Sequence, residues 1–414
     1  MTVQNTPPFF DVRARGFRAR ATVDAVLALL EARTRALTAE AVPLLEAAGR
    51  VLAEPVVSAV DVPGFARSAM DGFAVRAADT AAPRALAVVG ESFPARPFLG
   101  ELPPGGAVRI TTGTPIPVGA DAVLMAEFAQ LEPDGRVTPR APLATGKHVV
   151  RVGEDVAKGR EVLRAGRRLR PQDVGLLASI GAATVRAVRR PRVAILVTGN
   201  ELLPPGALPE GFKIVDSNSP MLAALAARDG ADLLSVRYVR DDYTAVRDAI
   251  RDAAEGADVV LVSGGTSVGA EDHAPRAVAE LGELAVHGVA LRPAGPLGVG
   301  FLARAHVFLI PGNPVSCLCA YDLFAGRVVR RLGGRSWELP YAKITLRVAE
   351  RITSAAGRVD YVRVTRGSDG VAPVASGGAS NLSGAVAADG FVLVPADRDA
   401  LAPGEVADVW LYDL

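Results

Sequence analysis

The chain has 414 residues, a formal net charge of +1, and hydrophobic side chains at half of its positions. Its length suits about three domains of roughly 150 residues each. The balanced charge argues against a nucleic-acid-binding protein, and no uncharged apolar run reaches the ~18 residues that would cross a membrane. The N-terminus has no apolar signal core and Cys317 and Cys319 are expected to be reduced thiols, so we expect a cytoplasmic protein.

The first 190 residues contain helical patterns and short-strand patterns. An amphipathic helix is predicted over 22–33 and a second helical segment over 44–52, followed by short strands and turns. Asp71 and Thr112 each precede a glycine in such turns, where they either shape the turn or face a ligand, and spacing alone favours the turn. A further helix is expected to begin at Pro171, since proline suits a first turn.

Four runs rich in Val, Ile and Leu predict a parallel sheet with helices on both faces. They occupy 193–197, 233–239, 259–262 and 307–310. Ligands bound by such sheets lie beyond the carboxyl ends of the strands. Polar or glycine residues follow three of the runs here: Thr198, Gly199 and Glu201; Asp241 and Asp242; and Gly264, Gly265, Ser267, Gly269 and Asp272.

These residues are expected to collect at one edge of the sheet. Backbone N–H groups of the glycine-rich loop can bind a phosphate, and a divalent cation would relieve the repulsion between that phosphate and the neighbouring acids. An oxygen-only ligand set suits Mg²⁺. The loop is not a Walker A loop, because no Gly-Lys-Ser/Thr follows it. The alternative interpretation is that the glycines form turns and the acids cap helices.

The pattern changes after Gly333 and Gly334. Strand patterns over 342–349, 361–365 and 391–394 are separated by turns rich in Gly, Ser and Asp. Short strands with such turns predict a small all-β domain at the end of the chain.

Seven motifs follow one another along the chain: SAMDGFAVR, RITTGTPIP, RVGEDV, VTGNEL, RDD, SGGTSVG and IPGNPVS. In this combination the chain resembles the molybdopterin molybdenumtransferase family of the MoeA type, which includes the E domain of gephyrin. The resemblance covers essentially the whole chain and implies a multidomain α/β protein. The implied parts are a helical dimerisation domain (17–57 and 149–190), an inserted β domain (58–148), a parallel-sheet molybdopterin-binding domain (191–333) and a C-terminal β-barrel (334–414).

The resemblance also implies a homodimer that inserts molybdenum from molybdate into adenylated molybdopterin, with release of AMP and with a divalent metal such as Mg²⁺. The implied catalytic residues are Asp71, Thr112, Glu201, Asp241 and Asp272, of which the last three would hold the metal. The implied molybdopterin and phosphate contacts are Thr198, Gly199, Gly264, Gly265, Ser267, Gly269, Pro311, Asn313 and Pro314. The implied molybdate contacts are Arg292, Arg363 and Ser380.

The chain departs from the family pattern at cations expected near molybdate. The family's Lys-Pro-Gly-Lys-Pro is Arg-Pro-Ala-Gly-Pro over 292–296, so one lysine is lost at Gly295 and a further one at Gly288. Dianion binding should weaken, because a charge-assisted hydrogen bond contributes about 1.5–3 kcal/mol. Two alternatives follow: a carrier or scaffold that binds molybdopterin or another phosphorylated ligand without metal insertion, and a nucleotide-phosphate hydrolase that uses the same acids.

Overall fold

The computed structural model describes residues 20–265, 272–374 and 378–413. The chain forms two compact units. The first contains the described residues up to Glu40, Gly49–Val51 and Ala187 onward, and the second contains Ala41–Ala48 and Leu52–Arg186. The four-domain division implied by the resemblance stays a prediction. Among the described helices, none combines the length and the hydrophobicity that a bilayer crossing requires.

The second unit is built mainly from short strands. Its largest sheet has four strands, in the order Ala87–Ser92, Gly106–Ile110, Gly72–Val75 and Ala122–Met125. The first pair is parallel and the others are antiparallel. The remaining elements of this unit are the strands Val56–Val57, Arg67–Ser68, Ala129–Leu131, Val137–Pro139, Val149–Val150 and Glu161–Leu163, the 3₁₀ helices Leu44–Glu46, Ala77–Thr80 and Ala126–Phe128, and the helix Pro171–Ser179. Two further strands, Ala39–Pro43 and Thr184–Val188, include residues of both units.

Three helix predictions before residue 190 have different outcomes. The helix predicted over 22–33 is confirmed as Val23–Arg33, and the helix Pro171–Ser179 is confirmed with proline in its first turn. The predicted helical segment over 44–52 is wrong, since only Leu44–Glu46 forms a single 3₁₀ turn. Gly49 has φ +77°, a left-handed conformation that interrupts a right-handed helix.

A six-stranded sheet forms the centre of the first unit. Its strands in chain order are β1 (Arg192–Thr198), β2 (Asp232–Val239), β3 (Val259–Ser263), β4 (Glu283–His287), β5 (Gly298–Leu302) and β6 (Ala305–Ile310). Their order across the sheet is β2-β1-β3-β6-β5-β4. The first four are parallel, as predicted, but β5 and β4 pair antiparallel, so the sheet is mixed. Only two residues join β5 to β6, too few for the crossover that a parallel pair needs.

Helices cover both faces of this sheet, which confirms the predicted layering. Successive residues of β1 point to opposite faces: Ile195 belongs to one apolar core, and Leu196 belongs to another. The first core includes the helix Val23–Arg33, and the second includes the helix Tyr243–Gly256. The other helices that pack on the two faces of the sheet are Asn218–Arg228, Ala274–Leu281, Pro314–Ala320, the π-helix Tyr321–Ala325 and Gly326–Leu332.

The end of the chain forms a second sheet, and its three predicted strands are confirmed. The strand order is Leu291–Arg292, Val359–Gly367, Gly390–Val394, Val406–Leu411 and Ala342–Arg347, with Gly370–Pro373 paired to Val359–Gly367. A bridge between Val348, which follows Ala342–Arg347, and Val371 links the last strand of this order to the strand paired with Val359–Gly367, so these pairings follow a nearly closed circuit. The remaining elements are the paired strands Leu202–Leu203 and Ile214–Val215, the paired strands Ile352–Thr353 and Ala400–Leu401, and the helix Leu382–Val386.

Candidate functional site

A cavity of about 690 Å³ opens beyond the carboxyl ends of three neighbouring parallel strands. Thr198 ends β1, Ser263 ends β3 and Pro311 follows β6, and all three line the cavity. We call it the acidic cavity because the structure brings Glu201, Asp241 and Asp272 together in its wall. It is also lined by several residues predicted to contact phosphate: Thr198, Gly199, Gly264, Gly265, Pro311, Asn313 and Pro314. Ser267 and Gly269 lie outside the described residues.

Two glycines let the backbone come close to the wall of the acidic cavity. Gly264 has φ +93°, and a Cβ atom there would lie 2.5 Å from the carbonyl oxygen of Thr198. Gly199 has φ +141°, and a Cβ atom there would lie 2.9 Å from the carboxylate oxygens of Glu201. Any larger residue would therefore clash with the strand end or displace the carboxylate.

Adjacent aspartates at the end of β2 have different roles. Asp241 lines the acidic cavity, and its Oδ2 accepts a hydrogen bond from the backbone N–H of Asn200 at 2.8 Å. Asp242 instead caps the helix Tyr243–Gly256, because its Oδ1 accepts a hydrogen bond from the N–H of Ala245 at 2.9 Å. The expectation that Asp242 joins the other acids is wrong, and helix capping is the physical reason.

The acidic cavity offers oxygen ligands without a preassembled metal cage. In the part of the chain that the structure describes, no group of three or more His, Cys, Asp or Glu side chains is close enough to hold a metal ion. Magnesium usually binds through one or two carboxylates, several waters and the phosphates of its substrate. The donor chemistry of Glu201, Asp241 and Asp272 therefore fits Mg²⁺ that arrives with a phosphorylated ligand.

Asn218 lies in the wall of the acidic cavity, and the sequence analysis missed it. Its Nδ2 donates hydrogen bonds to Ser263 Oγ at 3.0 Å and to the carbonyl oxygen of Gly312 at 2.8 Å. The amide thus links the ends of β3 and β6, while its buried Oδ1 accepts no hydrogen bond within the described chain. Asp216 accepts hydrogen bonds from the N–H groups of Asn218 and Ser219, so an Asp-Ser-Asn-Ser helix start was the available signal.

A second cavity of about 700 Å³ shares Pro296, Pro311 and Asn313 with the first. We call it the arginine cavity, since four guanidinium groups line it and none of its described lining residues carries a carboxylate. The predicted molybdate contacts Arg292 and Arg363 are both among them. The other two are Arg20 and Arg358, which the sequence analysis did not assign to a site.

Hydrogen bonds to the protein orient the guanidinium groups of Arg292, Arg358 and Arg363. Asp360 is fully buried and accepts hydrogen bonds from Arg292, from Arg358 Nε at 3.2 Å and from Ser354 Oγ at 2.8 Å. Arg363 donates through Nη1 to the carbonyl oxygen of Asn381 at 2.9 Å. One carboxylate therefore orients two of the cations before any ligand binds.

Ser380 does not line the arginine cavity, although it is a predicted molybdate contact. It lines the acidic cavity, and its Oγ donates a hydrogen bond to Oδ1 of Asn313 at 2.8 Å. Because Asn313 lines both cavities, Ser380 contacts the wall that the two share.

Asp71 and Thr112 contact each other in the second unit. Oδ1 of Asp71 accepts hydrogen bonds from the backbone N–H of Thr112 at 2.7 Å and from its Oγ1 at 3.0 Å. These two donors hold the pKa of Asp71 below its ordinary value. The aspartate is therefore an exposed, ionised carboxylate in a fixed orientation, which suits a structural turn and a ligand contact equally.

Three family models match consecutive parts of the chain. They describe the MoeA N-terminal region (domain I and II), a probable molybdopterin binding domain and the MoeA C-terminal region (domain IV). The matched residues are 21–181, 194–331 and 345–412, respectively.

Curated relatives and solved structures are similar over most of the chain. A molybdopterin molybdenumtransferase of Haemophilus influenzae is 34% identical over 372 residues, covering 88% of this chain and 92% of that protein. Molybdopterin molybdenumtransferase 2 of Mycobacterium tuberculosis is 34% identical over 383 residues, covering 89% and 94%. The crystal structure of the molybdopterin biosynthesis MoeA protein from Pyrococcus horikosii aligns with a TM-score of 0.82 at 32% identity, covering 95% of this chain and 100% of that one.

Proposed function

Because this chain belongs to the molybdopterin molybdenumtransferase family of the MoeA type, we propose that it inserts molybdenum from molybdate into adenylated molybdopterin and releases AMP. The observation that carries this proposal is a pair of cavities with opposite charge that share Pro296, Pro311 and Asn313. A ligand lying across that wall would place phosphate groups on the acidic side and its reacting end on the arginine side.

The acidic cavity would bind the adenylated phosphate together with Mg²⁺. Glu201, Asp241 and Asp272 would hold the metal, which supplies positive charge to the phosphate oxygens when bound. The chain itself would contribute backbone N–H groups beside Gly199 and Gly264, where no side chain has room. Carboxylates alone would repel a phosphate, so this cavity suits a phosphate that carries its cation with it.

The arginine cavity would bind molybdate, a dianion, beside the dithiolene sulfurs of the pterin. Arg292 is oriented by buried Asp360, and Arg363 is itself 8% exposed and held by the carbonyl oxygen of Asn381. Prepositioned donors bind a charged ligand without reorganising, so placing the two reactants together would supply much of the rate. No protein nucleophile is required in this scheme.

Finer features of the proposal come from the family resemblance. They are a homodimer with an active site that uses residues of both subunits, a cytoplasmic location, and a catalytic role for Asp71 and Thr112. The hydrogen bonds that Thr112 donates keep Asp71 ionised and oriented, which supports such a role. Metal insertion distinguishes this function from that of a carrier or scaffold for the same ligand.

Complementation tests the proposal directly. The full chain is expressed in a strain that lacks its molybdenumtransferase, and molybdoenzyme activity is measured at low and high molybdate. Rescue at either concentration is the expected result, with rescue at high molybdate alone meaning a weakened anion site. A folded protein that rescues at no concentration would contradict metal insertion and favour the carrier or scaffold.

A further inference from the structure

Arg20 reaches the arginine cavity from a segment that is distant in sequence from the other three arginines. The next residue, Ala21, is held by two backbone hydrogen bonds: its N–H donates to the carbonyl of Gly288 at 3.0 Å, and its carbonyl accepts from Ala290 at 2.8 Å. Thr22 then caps the helix Val23–Arg33 through the N–H of Ala25 at 3.2 Å. The segment carrying Arg20 therefore has a defined register against the loop that precedes Arg292.

The space beside Arg20 exists because residue 295 is a glycine. A Cβ atom built at Gly295 would lie 3.8 Å from Nη1 of Arg20 and 3.4 Å from the carbonyl oxygen of Leu291. Both residues line the same cavity. A long side chain at position 295 would enter the volume that the guanidinium of Arg20 occupies.

The charged residues that line this cavity, among those the structure describes, are all cationic. Arg292 and Arg358 share one carboxylate, Asp360, and no described residue that lines the cavity is acidic. A doubly charged tetrahedral oxyanion needs several donors arranged around it, and guanidinium groups donate through planar pairs of N–H groups. Arg20 would add a cation from a separate segment to the donors that Arg292 and Arg363 supply.

We propose that Arg20 binds the oxyanion substrate and sets its affinity, taking the position that a cationic side chain at residue 295 would otherwise occupy. This inference rests on the proposed function, since it assigns one more residue to the molybdate cavity. A cationic side chain at position 20 and one at position 295 would therefore be alternatives, because either would place its charge in the same part of the cavity.

The test is a charge exchange in the full-length protein, with molybdate as the probe. Affinity is measured by calorimetry and the KM for molybdate by AMP release, for Arg20→Ala, Arg20→Met and the double variant Arg20→Ala with Gly295→Lys. Either single substitution is expected to weaken binding about 10- to 150-fold, the equivalent of one charge-assisted hydrogen bond, with a smaller change in kcat. The double variant is expected to recover most of the loss, because Gly295 is outside the left-handed region and accepts a side chain.

Arg35→Ala is the matched control, since this exposed arginine of the same unit lies outside both cavities and, among the described residues, bonds to the carbonyl oxygens of Glu31 and Thr34. A merely structural role for Arg20 would lower thermal stability without a molybdate-specific loss, and Gly295→Lys would not repair it. Unchanged affinity in both single variants, while Arg363→Ala weakens binding, would overturn the role of Arg20 alone. An unmodified protein that neither binds molybdate nor releases AMP would overturn the proposed function itself.

Discussion

The two cavities of the first unit use opposite means of binding charged ligands. In the acidic cavity, carboxylates and backbone follow the ends of parallel strands, and Asp241 is held by a single backbone N–H. In the arginine cavity, cations from separate segments are held by fully buried Asp360 and by a backbone carbonyl. The acidic cavity therefore suits a ligand that brings a cation with it, while the arginine cavity suits an anion. Each following experiment should affect one cavity and spare the other.

Removing divalent metals should have the largest effect. We expect EDTA to abolish AMP release, because the phosphate would then face Glu201, Asp241 and Asp272 without a counter-ion. Molybdate affinity measured by calorimetry should stay within about twofold, since four arginines and no described carboxylate line the other cavity. Restoring Mg²⁺ should restore activity, and full activity in EDTA would contradict the assignment of a metal to the acidic cavity.

Substituting one acidic ligand should cause the next largest loss of activity. Asp241→Ala and Asp272→Ala should each lower kcat/KM for adenylated molybdopterin by about 100-fold or more, since even indirect metal contacts are worth 10- to 100-fold in affinity. Higher Mg²⁺ should recover part of the loss. Full activity in either variant would show that the metal and phosphate do not lie where we place them.

The neighbouring residue supplies the control for Asp241. Asp242 caps the helix Tyr243–Gly256 and does not line the cavity. Asp242→Ala should lower the free energy of unfolding by about 1 kcal/mol, measured by urea titration, and leave kcat/KM nearly unchanged. This pair separates loss of a ligand from loss of stability at adjacent positions.

The two cavities also differ in how far the sequence predicts them. Strand ends and glycine turns are local patterns, so Glu201, Asp241 and Gly264 were placed at one edge of the sheet from their spacing alone. Arg20 and Arg358 line one cavity because two distant segments pair beside Leu291–Arg292 and the loop before it, and no local periodicity encodes that arrangement. The antiparallel strands β4 and β5 were missed as well: β5 joins β6 through only two residues, and β4 pairs with β5 across the segment that contains Leu291–Arg292.

Arg363→Ala should disturb the arginine cavity alone. Arg363 is 8% exposed and lines the cavity, so its loss should raise the KM for molybdate about 10- to 150-fold, with the KM for adenylated molybdopterin little changed. High molybdate should restore complementation. Arg366→Ala is the control, because Arg366 belongs to the same strand but is exposed outside this cavity. Equal changes in both KM values would contradict the separation of the two sites.

Ser380→Ala should have the smallest effect on activity, and it should affect the binding of ligands in both cavities. Its Oγ donates to Oδ1 of Asn313 at 2.8 Å, and Asn313 lies in the shared wall. One neutral hydrogen bond contributes about 0.5–1.5 kcal/mol, so kcat/KM should fall about 2- to 10-fold for both substrates, measured by AMP release. Ser383 is a matched control: its Oγ donates to Oδ1 of Asn381 at 2.8 Å, outside both cavities, and Ser383→Ala should leave the kinetics unchanged. A loss confined to molybdate would place Ser380 with the arginines after all, and the shared wall would then not couple the two ligands.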